Sequence, residues 1–146
     1  MSVTYRPMVA EDYDEIYELW RVMPGMHLGE ADSREQIAAY VARNPGQSFV
    51  SEHEGRIIGT ILCGNDGRNA YIHHTAVAER YRRRGVASEL LRLALAKQTD
   101  FNRVKCHLLI FCDNDLGQAF WRRHGFTFRQ EIGVMTALVG KTEKNV

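Results

Sequence analysis

The chain has 146 residues, with 19 Lys and Arg against 18 Asp and Glu, for a formal net charge of +1. Apolar residues make up 45% and charged residues 25%, ordinary usage for a globular domain, which excludes a charged, disordered tail protein. The length suits one domain, residues 1–146, on one core. No stretch approaches the roughly 18 apolar residues of a membrane span, and the balanced charge argues against a dedicated nucleic-acid binder.

Thr4 to Met8 alternates around Tyr5 and predicts a short first strand. Tyr13, Ile16, Tyr17 and Trp20 recur at helical spacing and predict a helix with one apolar stripe. Glu11, Asp12, Asp14 and Glu15 crowd its first turn, where negative charge suits the helix dipole. Pro24 to Gly29 reads as a loop. Ser33-Arg34-Glu35-Gln36 resembles a capping box and opens a second helix with Ile37, Ala38 and Val41 on one side. Ser48 to His53, Ile57 to Cys63 and Ala70 to Val77 predict three successive antiparallel strands. Glu54-Gly55 and Asn65-Asp66-Gly67 are short enough to join them as hairpins.

Helical spacing returns at Val86, Leu90, Leu91, Ala94 and Leu95. Val104 to Phe111 is a nearly continuous apolar run, the pattern of a strand buried on both faces. Asp115 to His124 predicts a short helix capped by Asp115 and ended by Gly125. Phe126 to Glu131 and Val134 to Leu138 predict two closing strands, and only the last half-dozen residues look loose. The sum is a mixed α/β domain with a mostly antiparallel sheet of about seven strands and four helices. Cys63, Cys106 and Cys112 are an odd set without metal-ligand spacing, so no metal site is expected. Reduced thiols and an N-terminus without an apolar signal core point to the cytoplasm.

The segment that carries chemistry is Thr75-Ala76-Val77-Ala78-Glu79-Arg80-Tyr81-Arg82-Arg83-Arg84-Gly85-Val86-Ala87. A strand runs into a basic loop, and the loop runs into an amphipathic helix. Four of the five residues from Arg80 to Arg84 are arginines, in a chain whose net charge is only +1. A helix start presents unpaired N–H groups and a positive dipole end. Gly85 lets backbone approach an anion, and arginines on the rim add charge-assisted bonds to phosphate oxygens. On charge alone the run reads equally well as a solvated turn; its place at a strand-to-helix junction favours a pyrophosphate. Neither of the two common phosphate-loop patterns is present.

Arg82-Arg83-Arg84-Gly85-Val86-Ala87 resembles the Gln/Arg-x-x-Gly-x-Gly/Ala loop of the GNAT acetyltransferases. Asn114, followed by Trp121 and by Gly125-Phe126, resembles that family's Asn-x6-Tyr-x3-Gly-Phe block. The two motifs come in the right order, and the resemblance covers nearly the whole chain. It implies a sheet splayed between strands four and five, with acetyl-CoA as acyl donor. It implies that backbone of Thr75, Ala76 and Val77 holds the pantetheine arm and that N–H groups from Arg83 to Ser88 hold the pyrophosphate. Asn114 would bond the pantetheine or nearby backbone, or act as a local cap. The residues leave the oligomeric state open; in this family an exposed last strand pair often supports a homodimer.

Trp121 stands where many relatives carry a tyrosine that protonates the departing thiolate. Indole N–H cannot give up its proton at working pH, so the acid role is unassigned and core packing is the favoured reading. Its absence would slow transfer rather than forbid it, since acid–base help contributes ~10²–10⁴-fold. His73 and His74 are the candidate bases; strand alternation would send them to opposite faces, so that only one could look into the cleft. His107 is a weaker candidate, and Leu109 occupies a position where relatives that modify protein N-termini place a glutamate. Cys112 is expected to be buried rather than reactive. His27, Glu30, Asp32, Asp66 and Arg68 lie on segments that would form the acceptor site.

The resulting expectation is an acyl-CoA-dependent N-acyltransferase that moves acetyl to a primary amine, on a small molecule or peptide, by direct attack. The alternatives are a catalytically weak acyl-CoA-binding module, favoured by Trp121, and, more remotely, a nucleic-acid binder using Arg80 to Arg84.

Overall fold

In the computed structural model, which describes residues 1–140, the elements follow the order the sequence predicts as far as the fourth helix. Strand β1 (Thr4–Pro7) leads into helix α1 (Tyr13–Arg21). Ile16 and Trp20 of α1 are completely buried and Tyr13 nearly so, as the apolar stripe requires. A 3-10 turn at Glu30–Asp32 precedes α2 (Arg34–Arg43), where Ser33 Oγ accepts from Gln36 N at 3.2 Å. That is the cap bond which Ser supplies at a helix start.

Strands β2 (Phe49–His53), β3 (Arg56–Asn65) and β4 (Ala70–Val77) form the antiparallel meander. Helix α3 (Val86–Asp100) crosses to a short β5 (Cys106–Leu108), which pairs parallel with β4. The sheet is open and mixed, with order β1-β2-β3-β4-β5. Trp20, Ile16 and Ile37 bury against Val50, Leu62 and Ala76 on one face. Trp20 Nε1 donates to Thr60 Oγ1 at 2.9 Å, so the indole nitrogen is satisfied inside that core. Leu90 and Val86 of α3 approach the opposite face at Gly59.

The chain divides into two compact parts, Met1–Leu109 and the residues from Ile110 onward. The second holds α4 (Asp115–Arg123). Its cap is Asn114, not Asp115: Asn114 Oδ1 accepts from Gly117 N at 2.9 Å.

The sheet has five strands among the described residues, not seven. Neither Phe126 to Glu131 nor Val134 to Leu138 joins a ladder; a turn at 130–131 interrupts the run, and Met135 is fully exposed. Their β-forming residues signal fitness for a pleated, half-buried surface, and without a paired neighbour that fitness builds no strand. The apolar run at 104–111 likewise yields only a three-residue edge strand. Val104 is 92% and Leu109 76% exposed, because β5 has a neighbour on one side only. The expectation for the last half-dozen residues, 141–146, lies outside the described residues. No helix among the described residues is long and apolar enough to cross a membrane.

Candidate active site

The site begins with unequal pairing along β4. Its β3 side is laddered from Ala70 to Val77, whereas its β5 side is paired only from Ala70 to Ile72, opposite Cys106 to Leu108. From His73 onward β4 and β5 part. The edge of Thr75, Ala76 and Val77 turned away from β3 is therefore open to an extended ligand, which would bind as an added strand. Thr75 Oγ1 is buried without a hydrogen-bond partner among the described residues.

Beyond Val77 the chain makes a 3-10 turn at Glu79–Tyr81 and then the arginine loop. Arg83 and Gly85 both have left-handed backbone, with φ of 63° and 79°. A non-glycine residue there carries about 1–2 kcal/mol of strain, and such strain collects at binding loops. Gly85 is the N-cap of α3 and offers no side chain to it. The helix ladder starts at Glu89 N, which donates to Gly85 O at 3.0 Å. The N–H groups of Val86 and Ala87 precede that ladder and point out of the helix start. A Cβ on Gly85 would meet nothing within 4 Å, so glycine is required here by φ and not by space.

The arginines do not act alike. Arg82 Nε donates to Val77 O at 3.2 Å and ties the loop back to the end of β4. Arg84 rests on Met1 Sδ, and Arg80 lies over the Tyr81 ring at 5.3 Å. Arg83 is exposed. Arg82 braces the loop, while the exposed guanidinium of Arg83 remains available to an anion.

His73 and His74 overturn the alternation argument. Thr75 stands opposite Ile61 and Ile72 opposite Cys63, so the two histidines together face the single residue Leu62. This β-bulge adds a residue to β4 and re-aims its side chains. Both rings consequently lie toward the layer of α1 and α2. His74 meets the Trp20 ring edge-on at 4.7 Å, and its Nε2 lies 2.6 Å from Asp32 Oδ1. His73 meets the Tyr40 ring edge-on at 5.6 Å, which partly encloses the imidazole while the residue keeps solvent-facing surface.

Asp32 is buried, and its Oδ2 also accepts from Gly29 N at 3.0 Å. Burial pushes its carboxyl pKa up, but the bonds from His74 and Gly29 outweigh it and hold the pKa below the ordinary value. Loss of solvation, and then the neighbouring His74, lowers the His73 pKa. Burial raises the Tyr40 phenol well above its usual range.

Of the remaining acceptor-side candidates, Asp66 is a turn residue: its Oδ1 accepts from both Arg68 N and Asn69 N at 2.8 Å. His27 and Glu30 are exposed, and Glu30 opens the 3-10 turn that ends at Asp32. His107 sits on β5 with its ring tilted against Tyr71 at 5.6 Å. Cys63 and Cys106 are thiols pushed by burial up to about 12 and about 11, unsuited to nucleophilic work. No His, Cys, Asp or Glu cluster among the described residues could hold a metal ion.

In the second part, Asn114 gives its Oδ1 to the cap of α4, the local role that was the alternative to binding. Trp121 stands edge-on to Phe120 at 5.0 Å and to Phe126 at 5.2 Å, an aromatic cluster whose three residues are only half-buried. Cys112 is exposed, contrary to expectation, and Gln118 Nε2 donates to the carbonyls of Phe111 and Cys112. The bulge, the Asp32–His74 bond and the Tyr40 contact are what sequence reading missed. The only signal for them was a pair of adjacent histidines on a strand.

A sheet of this topology occurs in solved N-acetyltransferases. Ard1 from Thermoplasma volcanium superposes with a TM-score of 0.79 at 24% identity, over 88% of this chain and 85% of that one. The PaiA N-acetyltransferase from Thermoplasma acidophilum, solved in complex with coenzyme A, gives 0.78 at 18% identity, over 88% and 92%. The acetyltransferase plu1384 of Photorhabdus laumondii is 28% identical over 105 residues, 72% of this chain and 73% of that protein. Residues 13–126 match the model of the acetyltransferase (GNAT) family. The chain belongs to that family and is an N-acetyltransferase.

Proposed function

We propose that the whole chain forms one domain that transfers an acetyl group from acetyl-CoA to a primary amine, on a small molecule or peptide, by direct attack of the amine on the thioester. The observation that carries this reading is the continuous path from the open edge of Thr75–Val77, through Arg82 to Arg84, to the N–H groups at the start of α3. The strand edge suits the amide-bearing pantetheine arm. Backbone N–H groups from Arg83 to Ser88 and the exposed Arg83 suit the pyrophosphate. The unpartnered Thr75 Oγ1 beside that edge leaves a polar group for a ligand to satisfy.

Bound acetyl-CoA supplies the activated acyl group. This chain's own residues then have three tasks: to hold both reactants in register, to polarise the carbonyl with strand N–H groups near Val77, and to remove a proton from the amine. His73 and His74 are the candidates for the last task. Trp121 assigns no proton donor to the leaving thiolate. Asn114, by resemblance, would bond the pantetheine or nearby backbone; its Oδ1 caps the first turn of α4. The site is a cytoplasmic one in this reading, in keeping with free thiols at Cys63, Cys106 and Cys112.

The test is release of free thiol from acetyl-CoA, measured with and without primary amines. Amine-dependent release is the expected result. Tight binding of acetyl-CoA with no release across amines would instead assign the chain as the catalytically weak binding module.

A further inference from the structure

We propose that Tyr40, Tyr71, His73 and His107 form one ring-lined surface that selects the acceptor, and that it takes a primary amine carried on a flat aromatic body, an arylalkylamine. The proposal rests on the acyl-transfer reading above and names the acceptor class of that same site.

Register puts the four rings on one face of the sheet. Gly64 of β3 stands opposite Tyr71 of β4, and Tyr71 opposite His107 of β5, so these three positions point the same way. Gly64 carries no side chain, and α2 fills the space: a Cβ there would fall 2.6 Å from the Tyr40 hydroxyl. The Tyr40 phenol therefore lies over β3, beside Tyr71. The bulge brings His73 to the same face, edge-on to Tyr40 at 5.6 Å, while the Tyr71 and His107 rings meet at 5.6 Å. Tyr40, Tyr71 and His107 are half-buried and His73 keeps solvent-facing surface, which leaves ring area for a guest.

This surface lies where the acyl end of the donor arrives. An arm that runs from the start of α3 back along Val77 to Thr75 can go no further than Ile72, where the ladder of β4 with β5 closes. His73 is on the stretch between. Helix α3 covers the other face, with Val86 and Leu90 over Gly59 and Gln98 Nε2 on Cys63 Sγ at 3.6 Å. An amine thus reaches the acyl end from the ring-bearing face.

The chemistry of the surface decides the guest. Tyrosine and imidazole rings give a guest ring edge-to-face contacts, and their faces attract an ammonium. Loss of solvation, and then His74, lowers the His73 pKa, which favours an uncharged imidazole beside that ammonium. The carboxylates of the bordering segments are engaged, Asp32 by His74 and Gly29 N and Asp66 by Arg68 N and Asn69 N. A polyamine calls for several carboxylates and meets rings instead. One charge on one ring is what the surface matches.

The test follows transfer from acetyl-CoA by the full chain to 2-phenylethylamine, to 2-cyclohexylethylamine, which has similar bulk without a π-face, and to spermidine. The kcat/KM for 2-phenylethylamine should exceed each of the others by roughly 5- to 100-fold, the size of one or two ring contacts. Tyr71→Leu should remove most of that preference with acetyl-CoA affinity unchanged, and Tyr71→Phe should keep it. A loss shared equally by all three amines would make Tyr71 merely structural and overturn the proposal. Shifts of the His73 and His107 ring signals in NMR, on adding 2-phenylethylamine to wild type with coenzyme A, read binding without turnover. Equal kcat/KM for the two ring amines, or a preference for spermidine, overturns the proposal and leaves the acyl-transfer reading intact. No transfer to any amine, with the ring signals shifted, keeps the ring-binding surface and overturns acyl transfer; no transfer with unshifted signals overturns both.

Discussion

Gly85 separates two effects that a single substitution usually confounds. Its φ of 79° puts it in left-handed backbone, yet a Cβ there would meet nothing within 4 Å. Gly85→Ala should therefore cost only the conformational term, about 1–2 kcal/mol, or roughly 3–6 °C in Tm for a chain of this size. Gly85→Glu carries the same backbone cost, and its carboxylate at the N-terminus of α3 regains about 0.3–1 kcal/mol from the helix dipole. In stability the two variants should be close, with Glu the better.

In acetyl-CoA binding they should differ sharply. A carboxylate about 4 Å from a phosphate charge costs between about 1 and 4 kcal/mol per unit charge, depending on solvent access. That converts to a roughly 5- to 1,000-fold loss of affinity for Glu, against a small loss for Ala. Scanning calorimetry checks the first ranking and isothermal titration with acetyl-CoA the second. A folded Gly85→Glu protein that binds acetyl-CoA as tightly as Gly85→Ala would refute the pyrophosphate loop.

Gly64→Ala should lower Tm by roughly 3–9 °C, the equivalent of about 1–3 kcal/mol of overpacking. Its Cβ would fall 2.5 Å from the Asn44 side chain and 2.6 Å from the Tyr40 hydroxyl; an unchanged melting curve would mean that both neighbours yield freely. Trp121→Phe should leave the transfer rate within a few-fold, because neither ring can give up a proton. A loss of 10²-fold or more, about the size of an acid–base contribution, would assign the indole N–H a role in transfer.

Asp12, bonded to Arg6 at 2.8 Å, and Asp32 both have carboxyl pKa values held below the ordinary 3.8. Their stabilisation is present above that value and is lost as pH falls through the lower folded-state values. Acid unfolding followed by circular dichroism should therefore flatten below pH 4 in Asp12→Asn and Asp32→Asn. Unaltered acid profiles in both would remove these two groups from the acid response.

Helical periodicity and strand composition located α1, α2, α3 and the β2–β4 meander, since each buries one face that its own residues define. The strand-to-helix junction with its arginines was equally visible, because the anion-ready groups belong to consecutive residues. What sequence could not carry is register. One extra residue in β4 sends His73 and His74 to the same side, and alternation has no means of marking it. Nor does an apolar run say how many neighbours a strand has, which is why 104–111 has the pattern of a buried strand and yet supplies only the short edge strand β5. Asn114 and Asp115 compete for one cap, and only geometry decides that Asn114 takes it. By sequence Asp32 falls only on a segment of the acceptor side; its partner lies 42 residues away, beyond any local pattern.

The most direct test of acyl-donor binding is isothermal titration of the full chain with acetyl-CoA, with adenosine diphosphate titrated alongside. The path from Thr75–Val77 to the start of α3 predicts saturable micromolar binding of acetyl-CoA, with weaker but measurable binding of adenosine diphosphate, which engages only the loop. No heat of binding from either ligand, in protein shown to be folded, would contradict it.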